Sequence, residues 1–268
     1  MSTSTAQSAR AEGLIRVEID DAVARIALAR PHKRNALSDP LVLALRDTFE
    51  TLPEQVQAVV LHADGEHFCA GLDLSEMVEH DVPGGLAHSR MWHAAFESIQ
   101  FGRVPVIAAL RGAVIGGGLE LAASCHIRIA EPSTFYALPE GSRGLFVGGG
   151  GSVRITRLIG VARMTDMMLT GRVLDAAEGD AAGLSQYRVG AGEALPKAME
   201  LARRIATNAP ISNFAILQAL PRIAEVSRAE GFFTEALMAG ISQNEPTAKE
   251  RMRAFLAGKA AKVRREPT

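Results

Sequence analysis

The sequence predicts an α/β (α+β) chain in which strands and helices interleave to about residue 195 and helices alone follow. Three observations predict it. Leu14 to Ile19 and Ala22 to Ala29 alternate apolar and polar residues, the period of half-buried strands. From Pro105 to Glu140, a short apolar run, a glycine-rich bend, a helical stretch and two further short runs succeed one another. Beyond Leu195 apolar residues recur at helical spacing, broken at Ala209-Pro210 and Asn244-Glu245-Pro246. A chain of 268 residues suits one large domain, or one with an appendage.

In chain order, the first two strands flank Asp20-Asp21 and read as a β-hairpin, ended by Arg30-Pro31 because proline removes a ladder donor. Ser38 is placed to cap a helix running to about Leu52, with Pro40 in its first turn. Val56 to His62 reads as a buried strand, Asp64 to Gly71 as a tight bend, and Leu72 to Val78 as a short helix or turn. Val82 to Gly85 reads as a flexible break before a helix from Leu86 to Gln100, with Trp92 and Phe96 on one stripe. The central strands are expected at 105–110, 127–130 and 134–138, with a helix from Gly117 to about Cys125. Helices beginning at Ser152 and Ala162, and a mixed segment from Gly171 to Val189, lead to helices at 196–208, 212–226, 229–243 and 246–258.

Composition narrows the class. Net charge is −1, with 22% charged and 47% hydrophobic residues, so neither nucleic acid nor an anionic membrane surface is an expected partner. The only cysteines, Cys69 and Cys125, lack ligand spacing, so no metal site is expected and a reducing, cytoplasmic compartment is. Residues 1–13 are small and polar, without a signal-like apolar core, and read as a disordered tail. No apolar run reaches membrane-spanning length.

The central stretch holds the chemistry. Gly116-Gly117-Gly118 lets the backbone approach another group closely, and a helix starting there presents unpaired N–H groups able to hold an anion or a developing oxyanion. Glu120, in the first turn, and Glu140, after the last strand, stand in apolar surroundings where a merely structural carboxylate is out of place.

GAVIGGGLELAASCHIRIA followed by FYALPE, with RPHKRNAL and HFCAGLDL upstream, resembles the enoyl-CoA hydratase/isomerase (crotonase) family from about Val17 to the C-terminus. The resemblance implies a crotonase-like spiral of ββα units over 14–195. A C-terminal helical trimerisation region over 196–268 would assemble homotrimers or homohexamers. It implies an enoyl-CoA hydratase, with an acyl-CoA as substrate and no separate cofactor. Glu120 would activate water and Glu140 would protonate the α-carbon. The N–H groups of Ala70 and Gly117 would form the oxyanion hole. Lys33, Arg34, Ala36, Gly71, Leu72, Asp73, Leu74 and Gly116 would contact the CoA thioester, and the basic tail from Lys259 to Arg265 would reach CoA phosphates.

Two departures from the family pattern stand out. His126 replaces a usual aspartate, and the segment after Glu140 reads GSRGLFVGGGGS without the usual proline. Together with HSRMWH at 88–93, that segment resembles a branch that includes methylthioacryloyl-CoA hydratases. The rival readings are an isomerase, which needs only the acid at 140, a thioester hydrolase, and a non-catalytic assembly protein. A dinucleotide-binding module and a serine hydrolase are disfavoured, because neither G-x-G-x-x-G in context nor G-x-S-x-G is present.

Overall fold

The computed structural model describes residues 13–76 and 78–259; the expected N-terminal tail and most of the basic tail lie outside the described residues. β1 (Ile15–Asp20) and β2 (Val23–Leu28) form the expected hairpin, in a register from Ile15↔Leu28 to Asp20↔Val23. Asp21 makes the turn at φ 54°, a left-handed position that aspartate tolerates better than most residues. A parallel partner needs a crossover, and α1 (Asp39–Glu50) supplies it before β3 (Ala58–Ala63). Ser38 precedes α1 in extended conformation, but its side chain makes no cap bond; its Oγ lies 3.4 Å from Arg30 Nη1 instead.

α2 (Val82–Gln100) then crosses to β4 (Val106–Leu110). The expected break at 82–85 is helical. Asp81 caps α2 by accepting the Gly84 N–H at 2.8 Å, and Pro83 sits in the first turn, where its missing N–H costs nothing. From β4 the chain alternates between two sheets. β5 (Ala113–Ile115) joins a second sheet, and α3 (Gly117–Ser124) leads back to β6 (Ile127–Ala130), beside β4. β7 (Phe135–Ala137) then pairs with β5. α4 (Gly151–Ile159) and α5 (Val161–Thr170) follow, then β8 (Leu174–Asp175), α6 (Ala176–Ala182) and β9 (Tyr187–Arg188). The larger sheet has the order β1-β2-β3-β4-β6-β9 and the smaller β5-β7-β8. Strand, strand, helix recurs at β1-β2-α1, β4-β5-α3 and β6-β7-α4, in agreement with a crotonase-like spiral.

The central strands of the larger sheet are buried on both faces, whereas its edge strands β1 and β9 are mostly exposed, and this explains the unbroken apolar run of β3. Val59 and Leu61 join the main core with Leu28, Leu45, Phe96 and Leu110. Ala58 and Val60 face a second cluster with Ile107, Ile129 and the Ala198, Met199 and Ala202 side of α7 (Ala194–Ala206). Parallel strands covered on both sides read as continuous hydrophobic runs.

The chain divides into two compact units, the first ending at Ala206 and the second starting at Thr207. The sequence places that boundary at 195–196. The structure places it one helix later, because the apolar stripe of α7 is buried against the sheet. Within the second unit, α8 (Pro210–Ile223), α9 (Arg228–Asn244) and α10 (Pro246–Leu256) follow one another. A reciprocal Ser227–Glu230 capping box starts α9. This unit leaves Phe232, Phe233, Leu237, Phe255 and Leu256 exposed.

Candidate active site

Glu120 projects from the first turn of α3 and is 3% exposed. Its Oε1 accepts two backbone hydrogen bonds, from Gly149 N–H at 2.8 Å and Gly151 N–H at 2.7 Å. These glycines are required by close approach. A Cβ on Gly151 would lie 2.8 Å from Glu120 Cγ and Oε1, and one on Gly149 would lie 2.9 Å from Phe96 and 3.2 Å from Glu120 Oε2. Burial pushes the Glu120 carboxyl upward. The two N–H donors and Arg154 pull it down, and the nearby Glu140 charge pushes it up again.

Glu140 is held differently. It follows β7, lies in helical conformation (φ −58°), and opens a short 3-10 turn, Gly141–Arg143. Its Oε1 packs against Gly116, where a Cβ would come within 2.7 Å, and its buried Oε2 has no hydrogen-bond partner. Burial pushes this carboxyl up as well, opposed by its own amide and by Arg143. Both acids line one cavity of about 590 Å³, together with Leu72, Gly117 and Trp92.

The backbone donors correct one sequence expectation. The N–H of Ala70 donates to the Arg34 carbonyl at 3.0 Å, so it is not available to a ligand. Two residues on, the Gly71 carbonyl accepts from Leu37 N–H at 2.7 Å and Asp73 N–H donates to Leu37 O at 2.8 Å. This bridge leaves the N–H of Leu72 between them with no acceptor among the described residues. Gly117 opens α3, where an N–H has no intrahelical acceptor, and none is found for it elsewhere among the described residues. The Gly71 bend (φ 93°) brings the two segments together: a Cβ there would lie 3.7 Å from Gly117 N. The available amide pair is therefore Leu72 and Gly117.

Of the other expected contacts, Gly71, Leu72, Asp73, Leu74 and Gly116 line the cavity, whereas Lys33, Arg34 and Ala36 do not. Lys33 Nζ is 2.9 Å from Asp73 Oδ2 and 2.8 Å from Ser75 Oγ, and Arg30 Nη2 meets the same carboxylate at 2.9 Å. Burial opposes ionisation of Asp73, but bonds from Ser75, Lys33 and Arg30 outweigh it and hold the carboxyl well below its usual range. Ala36 is buried, and its carbonyl accepts from Arg30 Nη1 at 2.7 Å. These residues build the loop that carries Leu72, and Arg34 stays exposed beside it.

Trp92 and Phe96 are buried, their ring centroids 5.7 Å apart. The Trp92 edge packs on Gly117, while its Nε1 donates to Asp39 Oδ1 at 3.0 Å; His88 Nε2 meets the same oxygen at 2.8 Å. Cys69 and Cys125 are buried free thiols, each pushed up to about 12 by desolvation. His126 is a neutral staple. Its Nδ1 accepts from Val106 N–H at 2.9 Å, so its Nε2–H donates to Gln100 O, also 2.9 Å away, and burial lowers its pKa to about 4. Asp39 and Arg154 carry no functional signal in the sequence, and for Gly149 and Gly151 the signal is the glycine-rich run at 141–151.

Comparison with known proteins agrees with this architecture. Residues 18–263 match the family described as enoyl-CoA hydratase/isomerase. A "Probable enoyl-CoA hydratase" of Rhizobium meliloti is 35% identical over 252 residues, 92% of this chain and 96% of that protein. The mouse "Enoyl-CoA hydratase domain-containing protein 2, mitochondrial" is 37% identical over 250 residues, covering 90% and 83% of the two chains. A crystal structure of a candidate enoyl-CoA hydratase from Rhodopseudomonas palustris shares 59% identity and a TM-score of 0.90, covering 92% of this chain and 95% of the other. The Bacillus anthracis enoyl-CoA hydratase shares 30% identity and a TM-score of 0.86, with 92% and 97% coverage. A motif set in order, a spiral of alternating strands and a match across nearly the whole sequence agree: the chain belongs to the enoyl-CoA hydratase/isomerase family.

Proposed function

We propose that the chain is an enoyl-CoA hydratase adding water across the α,β double bond of a small acyl-CoA thioester. The observation that carries this reading is one cavity lined by a buried carboxylate, Glu120, a half-buried one, Glu140, and two backbone N–H groups without an acceptor among the described residues, at Leu72 and Gly117. An isomerase needs a single acid to move a proton. A second one, clamped by two backbone amides, suits the activation of water.

Glu120, whose Oε1 accepts two N–H bonds, is the ionised partner at rest; Glu140, whose Oε2 has no donor, is the protonated one. The titration belongs to the pair. Water gives a proton to Glu120 as its oxygen attacks the β-carbon, and the electron pair moves to the thioester oxygen. The N–H groups of Leu72 and Gly117 hold that charge; losing one such donor costs about 3–4 kcal/mol in the barrier. Glu140 then protonates the α-carbon, and the two acids exchange one proton to reset.

CoA lies along the Leu72–Leu74 loop, with the exposed Arg34 toward its phosphates. The exposed aromatic and aliphatic side chains of the second unit support assembly as a trimer or a pair of trimers. Two free buried thiols fit a cytoplasmic protein, and no helix among the described residues is long and apolar enough to cross a membrane.

Crotonyl-CoA tests the reading: its conjugated-thioester absorbance falls on adding the protein, without release of free thiol. Thiol release would mean hydrolysis, and an unchanged spectrum with every short, branched, aromatic and sulfur-containing enoyl thioester would overturn the proposal. The sulfur-containing thioester tests for methylthioacryloyl-CoA preference.

A further inference from the structure

The clamp on Glu120 is itself held from behind. Arg154, one turn into α4, is 8% exposed. Its Nη1 donates to the Gly149 carbonyl at 2.8 Å and its Nε to Gln100 Oε1 at 2.5 Å. Gln100 closes α2, and its own carbonyl accepts from His126 Nε2–H. Residue Gly149 is therefore gripped at both ends, its carbonyl oxygen by a guanidinium and its N–H by the Glu120 carboxylate. Gly150 fits between them at φ 94°, where a Cβ would lie 2.3 Å from Arg154 Nη1. A loop of four consecutive glycines, Gly148 to Gly151, has large conformational freedom to lose, and nothing in its own sequence would hold two N–H groups toward one oxygen.

We infer that Arg154 is a positioning residue for Glu120, acting through the backbone of Gly149, with Gln100 and His126 anchoring it to the end of α2. It rests on the hydratase reading only for its kinetic consequences. The guanidinium's planar fork lets Nε and Nη1 serve two different acceptors at once, which a lysine ammonium on a flexible stem does less well. The Arg154 charge also acts on Glu120, favouring its ionised form. The titratable and charged groups around this pair are Glu140 across the cavity, Glu97 beside Arg154, and His93 beside Gly150. No step of the proposed chemistry touches Arg154.

The test uses the full chain with Arg154→Met, Arg154→Lys and Gln100→Leu, read by kinetics across pH and by amide exchange over 149–151. Arg154→Met is expected to lower kcat about 10- to 100-fold with little change in KM, as a mispositioned catalytic group does. It also moves the acid limb of kcat/KM to higher pH, because Glu120 has lost its cation. Arg154→Lys keeps the charge, so it leaves the acid limb in place while kcat recovers only in part. Gln100→Leu gives a smaller loss with no shift of the limb. In Arg154→Met, exchange quickens at 149–151 while the β3 and β4 amides stay protected. That readout needs no turnover, so it stands even if no enoyl thioester is hydrated. An unmoved acid limb with unchanged exchange at 149–151, or exchange quickened uniformly through the first unit, would overturn the inference.

Discussion

Glu120 and Glu140 face one cavity and are held in opposite ways. Glu120 sits on a helix, nearly closed off from solvent, with one oxygen between two glycine N–H groups. Glu140 sits on a turn after a two-residue crossing from β7, half-buried, with one oxygen against Gly116 and the other unpartnered. The difference teaches how two identical side chains take different roles. Donors aimed at one carboxylate favour its charge, whereas burial without donors favours the proton. One acid is fixed in place by donors; the other, in the proposed reaction, gives its proton to the α-carbon.

The strongest way to break this contrast is to neutralise each acid. Glu120→Gln and Glu140→Gln should each lower kcat by about 10²–10⁴-fold, the usual worth of a positioned acid or base, in hydration assays with crotonyl-CoA. The fold should survive in both, since an amide oxygen at 120 still accepts from Gly149 and Gly151. Near-full activity in either variant would remove that residue from the mechanism.

A subtler test adds one methyl beside each acid. Gly151→Ala forces the clamped Glu120 to move and should cost about 100-fold in kcat, the scale of a misplacement near 1 Å. Gly116→Ala presses on the Glu140 carboxyl, whose Oε2 no hydrogen bond holds in place, so its kcat should fall only about tenfold. Its melting temperature should fall more, because Gly116 sits at φ 52° and ψ −122°, a conformation that strains an L-residue. Equal losses of kcat would show that both acids are equally fixed.

The smallest effect is on stability. A carboxyl raised by burial ionises first in the unfolded chain, so its presence costs nothing at low pH and destabilises as pH rises from the ordinary carboxylate range through the raised value. Glu140→Gln lacks this slope. Its melting temperature should gain a few degrees on wild type between pH 4 and pH 7. His126 works in the other direction. Its lowered pKa means that unfolding takes up a proton between pH 6.5 and about 4, so wild type should lose about 3 kcal/mol across that window. Urea titrations of His126→Asn, which cannot titrate there, should show a flatter acid profile.

Much of the fold was readable from spacing alone. The hairpin at β1 and β2, the helix from Gly117 and the run of C-terminal helices follow from alternation, glycine placement and proline breaks, all local signals. Glu120 and Glu140 stood out because charge is unexpected in an apolar stretch. The errors were of another kind. Ser38 has a capping residue's identity but lies beside Arg30 instead, and Val82 to Gly85 is helical because Asp81 and Pro83 outweigh two glycines.

What the sequence by itself determined is most of the order of elements, though not β5 in the glycine-rich bend, the family, and the presence of two acids in an apolar stretch, since each depends on residue type at short range. What only the tertiary structure decided is which groups remain free to act. Ala70 and Leu72 carry identical N–H groups two residues apart, yet one is consumed by Arg34 and the other is not. Lys33 is drawn to Asp73 across 40 positions, and Arg154 reaches Gln100 across 54. Hydrogen-bond partners are assigned by proximity in space, and a backbone amide carries no mark in the sequence of whether its acceptor will be found.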